Sequence, residues 1–226
     1  MCPPIAVVGD VHGNAAGLSH LVNWLKLEWT GQVVFVGDYV NRGPDSRGVL
    51  DQLVEAREFF GERLTLLMGN HDAALIDFLE GGPPLGFIQL GGLRTIRNYL
   101  GTDLLADPFD QFRRQFPIEH LEVIQSLELS FETEEVLVTH AGFNPSEPSS
   151  RLARDVVFGR FAALFEPGQP TPRSLVVCGH YVQRTLTAYQ SDRFICIDSG
   201  SGTVPGAPLS LLLLPAREIR MFTGAA

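Results

Sequence analysis

Asn70, His71 and Asp72 stand side by side in GNHD, directly after the apolar run LTLLM. An amide, an imidazole and a carboxylate are poor strand filling, but they are good groups for holding a cation or moving a proton. The same arrangement recurs along the chain. VVGDVHG carries Asp10 and His12, FVGDYVNRG carries Asp38, Asn41 and Arg42, LVTHAG carries His140, and VVCGH carries His180. Each follows a short apolar run beside a glycine, which allows a sharp turn and close approach of backbone to a ligand. Four of the six histidines lie in these segments. Aspartates, imidazoles and an amide oxygen suit borderline-hard divalent ions such as manganese, iron or zinc, and the absence of a CxxC pair argues against structural zinc. Asp10, His12, Asp38, Asn70, His140 and His180 are too many for one open site. They suit two ions sharing a bridging carboxylate, about 3.5–4 Å apart.

Such residues act together only if their elements bring them to one place. IAVV, VVFV and LTLLM read as buried strands, each followed by a loop and a segment of helical period. Leu18, Leu21, Val22 and Leu25 share one face of the first expected helix. Val49, Leu50, Leu53 and Val54 do so in the second, with Ser46 as its expected N-cap. Repeated strand-loop-helix units predict a largely parallel sheet with helices outside, and ligand loops at the strand ends that form the usual crevice. Residues 80–127 read as mostly helical around the loop EGGPPLG. Strands at LSFE and EVLVTHAG follow, then a helix near 151–165 and a strand at SLVVCGH. LTAYQ, RFICIDSG, LSLLLLP and EIRMF read as antiparallel strands joined by Gly and Pro turns. With no linker or repeat, residues 1–226 read as one domain with a helical insertion around 80–127.

The 226 residues are 45% apolar and 19% charged, a globular balance. A net charge of -9 speaks against a general nucleic-acid-binding surface. An anionic substrate would need local positive charge, from arginines or bound metal. Cys2, Cys178 and Cys196 are a sparse, odd set that fits a reduced cytoplasm, the last two as small apolar strand residues. The start MCPPIAVVGD lacks the basic region and long apolar stretch of a signal peptide, and LLLL at 211–214 is too short to span a bilayer. The expectation is a soluble, cytoplasmic protein without a membrane partner.

GDVHG, GDYVNRG, GNHD, HAG and GH together resemble the motif set of the phosphoprotein phosphatase family of calcineurin-like metallophosphoesterases, from residue 5 to about 214. GDYVNRGPDSRGVLDQL, GGLRTIRNYLG and ICIDSGSG are close to its small bacterial branch, which holds Ser/Thr protein phosphatases and symmetrical diadenosine tetraphosphatases. The resemblance implies an α/β fold of two mixed β-sheets sandwiched between helices. It implies that Asp10, His12 and Asp38 hold a first ion, and that Asp38, as bridge, holds a second with Asn70, His140 and His180. Manganese is the expected metal, with iron or zinc as alternatives. A water or hydroxide between the ions would attack phosphorus in line, without a phospho-enzyme.

The resemblance also makes His71 the general acid that protonates the leaving oxygen. Arg42 and Arg160 would grip the phosphate, Arg160 in VVFGRF, where Phe158 replaces the family's usual Trp. Arg154 is its nearest competitor and reads as a solvated helix residue. Asn41 stands where the family's protein phosphatases usually carry an Asp that orients the general acid. Asn41 would accept a hydrogen bond from His71 without stabilising imidazolium, which favours substrates with good leaving groups. Asp198 in IDSG would orient a neighbouring histidine instead. Arg94, Arg97 and Tyr99 would line a nucleotide pocket or cover the sheet. The implied activity is a Ser/Thr protein phosphatase or broad phosphomonoesterase, acting on phosphorylated proteins or small phosphorylated molecules. The alternative is a diadenosine tetraphosphate hydrolase, and a non-catalytic scaffold is disfavoured because all six ligand candidates are present.

Overall fold

Every residue of Ile5–Val8 (β1) is buried, so this strand needs a packed layer on both faces. The computed structural model, which describes residues 4–102 and 107–224, supplies both. Cys2 lies outside the described residues. β1 pairs in parallel with Gln32–Phe35 (β2), and β2 with Leu64–Leu66 (β3). Ala15–Glu28 (α1), Ser46–Phe60 (α2) and Asn70–Leu79 (α3) follow these three strands in turn. Leu18, Leu21, Val22 and Leu25 of α1 and Val49, Leu50 and Leu53 of α2 share one core with Ala6, Val8 and Phe35. On the opposite face, Ile5, Val7, Val34 and Val36 meet Val136, Val138, Val177 and Ile195 of a second sheet. That double burial accounts for the unbroken apolar runs of these strands.

The insertion is helical, with Pro84–Gln89 (α4), Gly92–Leu100 (α5), Pro108–Gln115 (α6) and Ile118–Gln125 (α7). It packs through rings: Phe78 of α3 stacks on Phe87 and Phe112, and Tyr99 meets Phe112 edge-on. The second sheet is built from Ser130–Glu132 (β4), Val136–Thr139 (β5), Leu175–Cys178 (β6), Tyr189–Gln190 (β7) and Phe194–Cys196 (β8), in the order β4-β5-β6-β8-β7. Leu209–Leu214 (β9) and Glu218–Phe222 (β10) extend the first sheet to β10-β9-β1-β2-β3. Both sheets are mixed and lie face to face, which is the expected α/β sandwich. Cys178 and Cys196 are buried strand residues, as their neighbours suggested. Among the described residues no helix is long and apolar enough to cross a membrane.

Three expectations are corrected. The last four strands pair antiparallel with one another only within two separate pairs. β7 and β8 pair antiparallel, β8 runs parallel to β6, and β9 with β10 joins the other sheet. β9 lies antiparallel to β1 and puts Leu209, Leu211 and Leu213 into one core and Leu212 and Leu214 into the other, a destination that local pattern does not encode. The helix near 151–165 shrinks to one turn, Ala153–Val156 (α8), and a 3₁₀ turn at Ala162–Phe165. Gly159 closes onto the Asp155 carbonyl, where a Cβ would sit 2.3 Å away, while Ser150 and Asn144 hold the Asp155 carboxylate. The outer cover of the second sheet is therefore largely irregular. Finally, Asp45 rather than Ser46 caps α2, its carboxylate accepting from Gly48 N–H. Ser46 turns inward and accepts from Asn41 N–H.

Candidate metal centre

The segments after β1, β2, β3, β5 and β6 meet at one edge of the sandwich, so both sheets contribute. Asn70, His71 and Asp72 form the first turn of α3, behind Gly69, rather than an isolated strand-end turn. Fully buried Asp72 accepts the backbone N–H of Asp38 at 2.7 Å, of Tyr39 at 3.0 Å and of Gly69 at 3.0 Å. It staples the loop after β2 to the start of α3. Asp38 in turn accepts His71 N–H at 2.9 Å. Sequence reasoning gave Asp72 no role, although an acid three residues past a helix-capping glycine was a usable signal. His12, Asp38, Asn41, Arg42 and His180 all have φ between 45° and 71°. Only Leu186 and Arg217 join them among the described non-glycine residues. Backbone in this region is costly for L-residues and concentrates at functional sites.

Backbone carbonyls fix how the imidazoles face. His12 donates from Nδ1 to Val40 O at 3.1 Å, and His140 from Nδ1 to Val36 O at 3.0 Å. Burial holds both rings neutral, lowering His12 to about 3 and His140 to about 4. Each therefore presents a bare Nε2. His12 Nε2 lies 3.4 Å and His140 Nε2 3.6 Å from Asp38 Oδ2. His140 Nε2 is also 3.2 Å from Asn70 Oδ1, which stands 3.0 Å from His180 Nδ1. The bare Nε2 atoms of His12 and His140 thus face the Asp38 carboxylate, with the Asn70 amide oxygen beside His140, and a cation satisfies such a set.

Asp10, Asp38 and His140 offer donor atoms within 4.8 Å of one another, as do His12, Asp38 and His71. Asp38 belongs to both groups, the position a bridging ligand must have. His180 N–H orients the Asp10 carboxylate at 3.0 Å. Burial raises Asp38 to about 7, and burial with the nearby Asp198 and Asp38 carboxylates pushes Asp10 up as well. Crowded, buried carboxylates call for positive charge. The residues present fit divalent metal.

His71 lines a cavity of about 650 Å³ together with Arg42 and Arg160. Its Nδ1 lies 3.1 Å from Asn41 Nδ2, because Asn41 Oδ1 is taken by the Thr95 hydroxyl at 2.8 Å. Asn41 thus donates to His71 and does not accept from it, contrary to the sequence expectation. Thr95, on α5, decides the amide's orientation and leaves the His71 proton on Nε2. Burial, then the charges of His12 and Arg42, lower His71 to about 2. Asp198 lines the cavity but orients no histidine; its carboxylate accepts Gly200 N–H at 2.9 Å. Arg154 points away, 72% exposed and 3.7 Å from Asp155. Arg94 donates to Arg42 O at 2.9 Å, whereas the Tyr99 hydroxyl bonds His120 at 2.7 Å and Arg97 lies outside the cavity. Leu90, Phe165, Tyr181 and Val182 form an apolar wall that no motif announced.

A sequence profile of calcineurin-like phosphoesterases matches residues 3–192. The chain belongs to the calcineurin-like phosphoesterase family. A candidate serine/threonine-protein phosphatase of Caenorhabditis elegans is 35% identical over 78 residues, which is 34% of this chain and 17% of that protein. The matched stretch is thus a small part of that relative. A candidate diadenosine tetraphosphatase of known structure superimposes with a TM-score of 0.66 at 20% identity, covering 99% of this chain and 94% of that one. A cold-active protein-tyrosine phosphatase of a psychrophilic Shewanella gives 0.65 at 20% identity, covering 97% and 80%. At such identity these neighbours establish the fold of this phosphoesterase.

Proposed function

We propose that this calcineurin-like phosphoesterase is a dinuclear, metal-dependent phosphomonoesterase of broad range that prefers good leaving groups. The observation that carries the reading is the pair of bare imidazole nitrogens that His12 and His140 turn on Asp38, with Asn70 Oδ1 between His140 and His180. Asp10, His12 and Asp38 would hold one divalent ion, and Asp38, Asn70, His140 and His180 the other, with manganese the first candidate. When bound, the ions supply water of lowered pKa and neutralise charge on the phosphate.

The chain's own groups do the rest. Arg42 and Arg160 present guanidinium forks to the phosphate oxygens, and neither has an ion-pair partner among the described residues. His71, with its proton on Nε2, hydrogen-bonds to the leaving oxygen. Because its Nδ1 meets the Asn41 amide and not a carboxylate, it supports partial rather than complete proton transfer. Aryl phosphates and phosphoanhydrides then react more readily than alkyl phosphates such as phosphoserine. The wall of Leu90, Phe165 and Tyr181 accepts an apolar or aromatic leaving group and excludes water from one side. Substrates are phosphorylated small molecules or protein side chains, met in the cytoplasm. Diadenosine tetraphosphate hydrolysis is the second reading, favoured by the same weak acid and by the arginines beside the cavity.

The test is a panel of para-nitrophenyl phosphate, a phosphothreonine peptide and diadenosine tetraphosphate, assayed with manganese, iron or zinc. Turnover that needs added metal, with the aryl ester or the dinucleotide ahead of the peptide, is expected. No turnover with any metal overturns the assignment, and a peptide preference overturns the leaving-group argument.

A further inference from the structure

A second cavity, of about 400 Å³, adjoins the first, and Arg42 lines both. Arg94 lines it from α5, and the loop 202–206 closes the other side. Ser201 anchors that loop by accepting from Asn14 Nδ2 at 3.0 Å and donating to Val11 O at 3.2 Å. The lining contains two arginines and no Asp or Glu, although the chain as a whole carries a net charge of -9. Thr203 Oγ1 is shielded from solvent and has no hydrogen-bond partner. The N–H groups of Gly202 and Gly206 make no hydrogen bond among the described residues. One Arg94 nitrogen is spent on Arg42 O, which leaves the rest of the fork free. Forked cations and idle amides around a small cavity match a tetrahedral oxyanion.

We propose that Arg94 and Arg42 form a second anion subsite that receives the adjoining phosphate of a phosphoanhydride substrate. The inference rests on the metal-centre reading above and names the substrate class it prefers. In the hydrolysis, the oxygen of water forms the new bond to phosphorus and the bridging P–O bond breaks. The electron pair leaves on the adjoining phosphate, the proton given up by the water passes to the phosphate products, and Arg94 receives the new charge. That assistance offsets the weak acid at His71, because a phosphate leaving group bound to arginine needs little protonation. A flexible acidic peptide would gain less from a compact cavity walled by Gly, Pro and Ala.

The experiment compares methylenebisphosphonate, with two linked phosphonyl groups, and methylphosphonate, with one, by calorimetry on manganese-loaded protein. Neither is hydrolysed, so binding is read without turnover. Arg94→Met should weaken the bisphosphonate by about fivefold or more, the scale of a lost hydrogen bond to a charged group, and Arg94→Lys, which keeps the charge, by less. The monophosphonate should change much less. Equal loss for both probes would mean that Arg94 acts only by bracing Arg42, and no loss would mean that the cavity is not a subsite; either overturns the proposal. A doubly phosphorylated peptide that suffers more than the bisphosphonate would overturn the anhydride assignment. If wild type binds the bisphosphonate in this way but hydrolyses no phosphate compound, the proposed function fails while the subsite stands.

Discussion

His71 shows how one side chain's chemistry depends on which nitrogen holds a proton. Asn41 Nδ2 approaches Nδ1, and the proton therefore sits on Nε2 of a ring that burial keeps neutral. Asn41→Asp places an anion there instead, which favours imidazolium and should raise the His71 pKa. Turnover should rise on the acid side of the pH–rate profile, where imidazolium now persists, most for alkyl phosphates and least for aryl ones. Superimposable profiles for both variants would show that Asn41 does not act through His71. Replacing His71 by Asn should cut alkyl phosphate turnover by about 10²–10⁴ and leave metal content unchanged. Loss of metal on elemental analysis would instead make His71 a ligand, as its nearness to His12 and Asp38 permits.

Loops carry this site, and close backbone contacts hold them rigid. Gly37 has φ +108°, and a Cβ there would lie 2.4 Å from Gly69 N. The turn before Asp38 and the cap of α3 can meet only because that side chain is missing. Gly37→Ala should therefore cost roughly 1–3 kcal/mol or more in urea unfolding and weaken metal binding through Asp38. Gly61, at the end of α2, has φ +55° but nothing within 4 Å of its would-be Cβ, so Gly61→Ala should cost less and spare the metal. Similar losses in the two variants would place the cost of Gly37→Ala in φ alone, not in contact between the loops.

For the whole molecule, metal, pH and stability are linked through the buried cluster. Asp38 rises from 3.8 unfolded to about 7, so its contribution to the metal-free fold is full below 3.8 and is lost as pH climbs through about 7. His12, His140 and His180 fall from 6.5 to about 3, 4 and 3, so their contribution is full above 6.5 and is lost as pH drops through those values. Divalent metal needs the ionised carboxylate and neutral rings, so below about pH 7 its binding displaces the Asp38 proton. The rise in Tm on adding manganese should thus grow from about pH 5.5 to about pH 7.5 and then level off. Scanning calorimetry at a fixed metal excess reads it directly. A constant rise across that interval would mean that the carboxylate is already ionised without metal.

The sequence by itself determined the candidate ligand residues and the strands that carry them, because ligand chemistry is written in residue type and strand burial in local apolar runs. Asp10, His12, Asp38, Asn70, His140 and His180 were legible from their types and places, and Leu18, Leu21 and Leu25 from their period. Tertiary structure alone decided the hydrogen-bonding direction of Asn41, because Thr95, 54 residues away, claims its oxygen. It also decided that Asp72 staples the loop of Asp38, that β9 joins β1, and that Arg94 reaches a second cavity beside Arg42. His12 is aimed by a carbonyl 28 residues away, His140 by one 104 residues away, and the Asp10 carboxylate by an amide 170 residues away. The first pair meets only when β1 lies beside β2 and the other two only when the sheets close on each other, and no local pattern of residue type or period records where they meet.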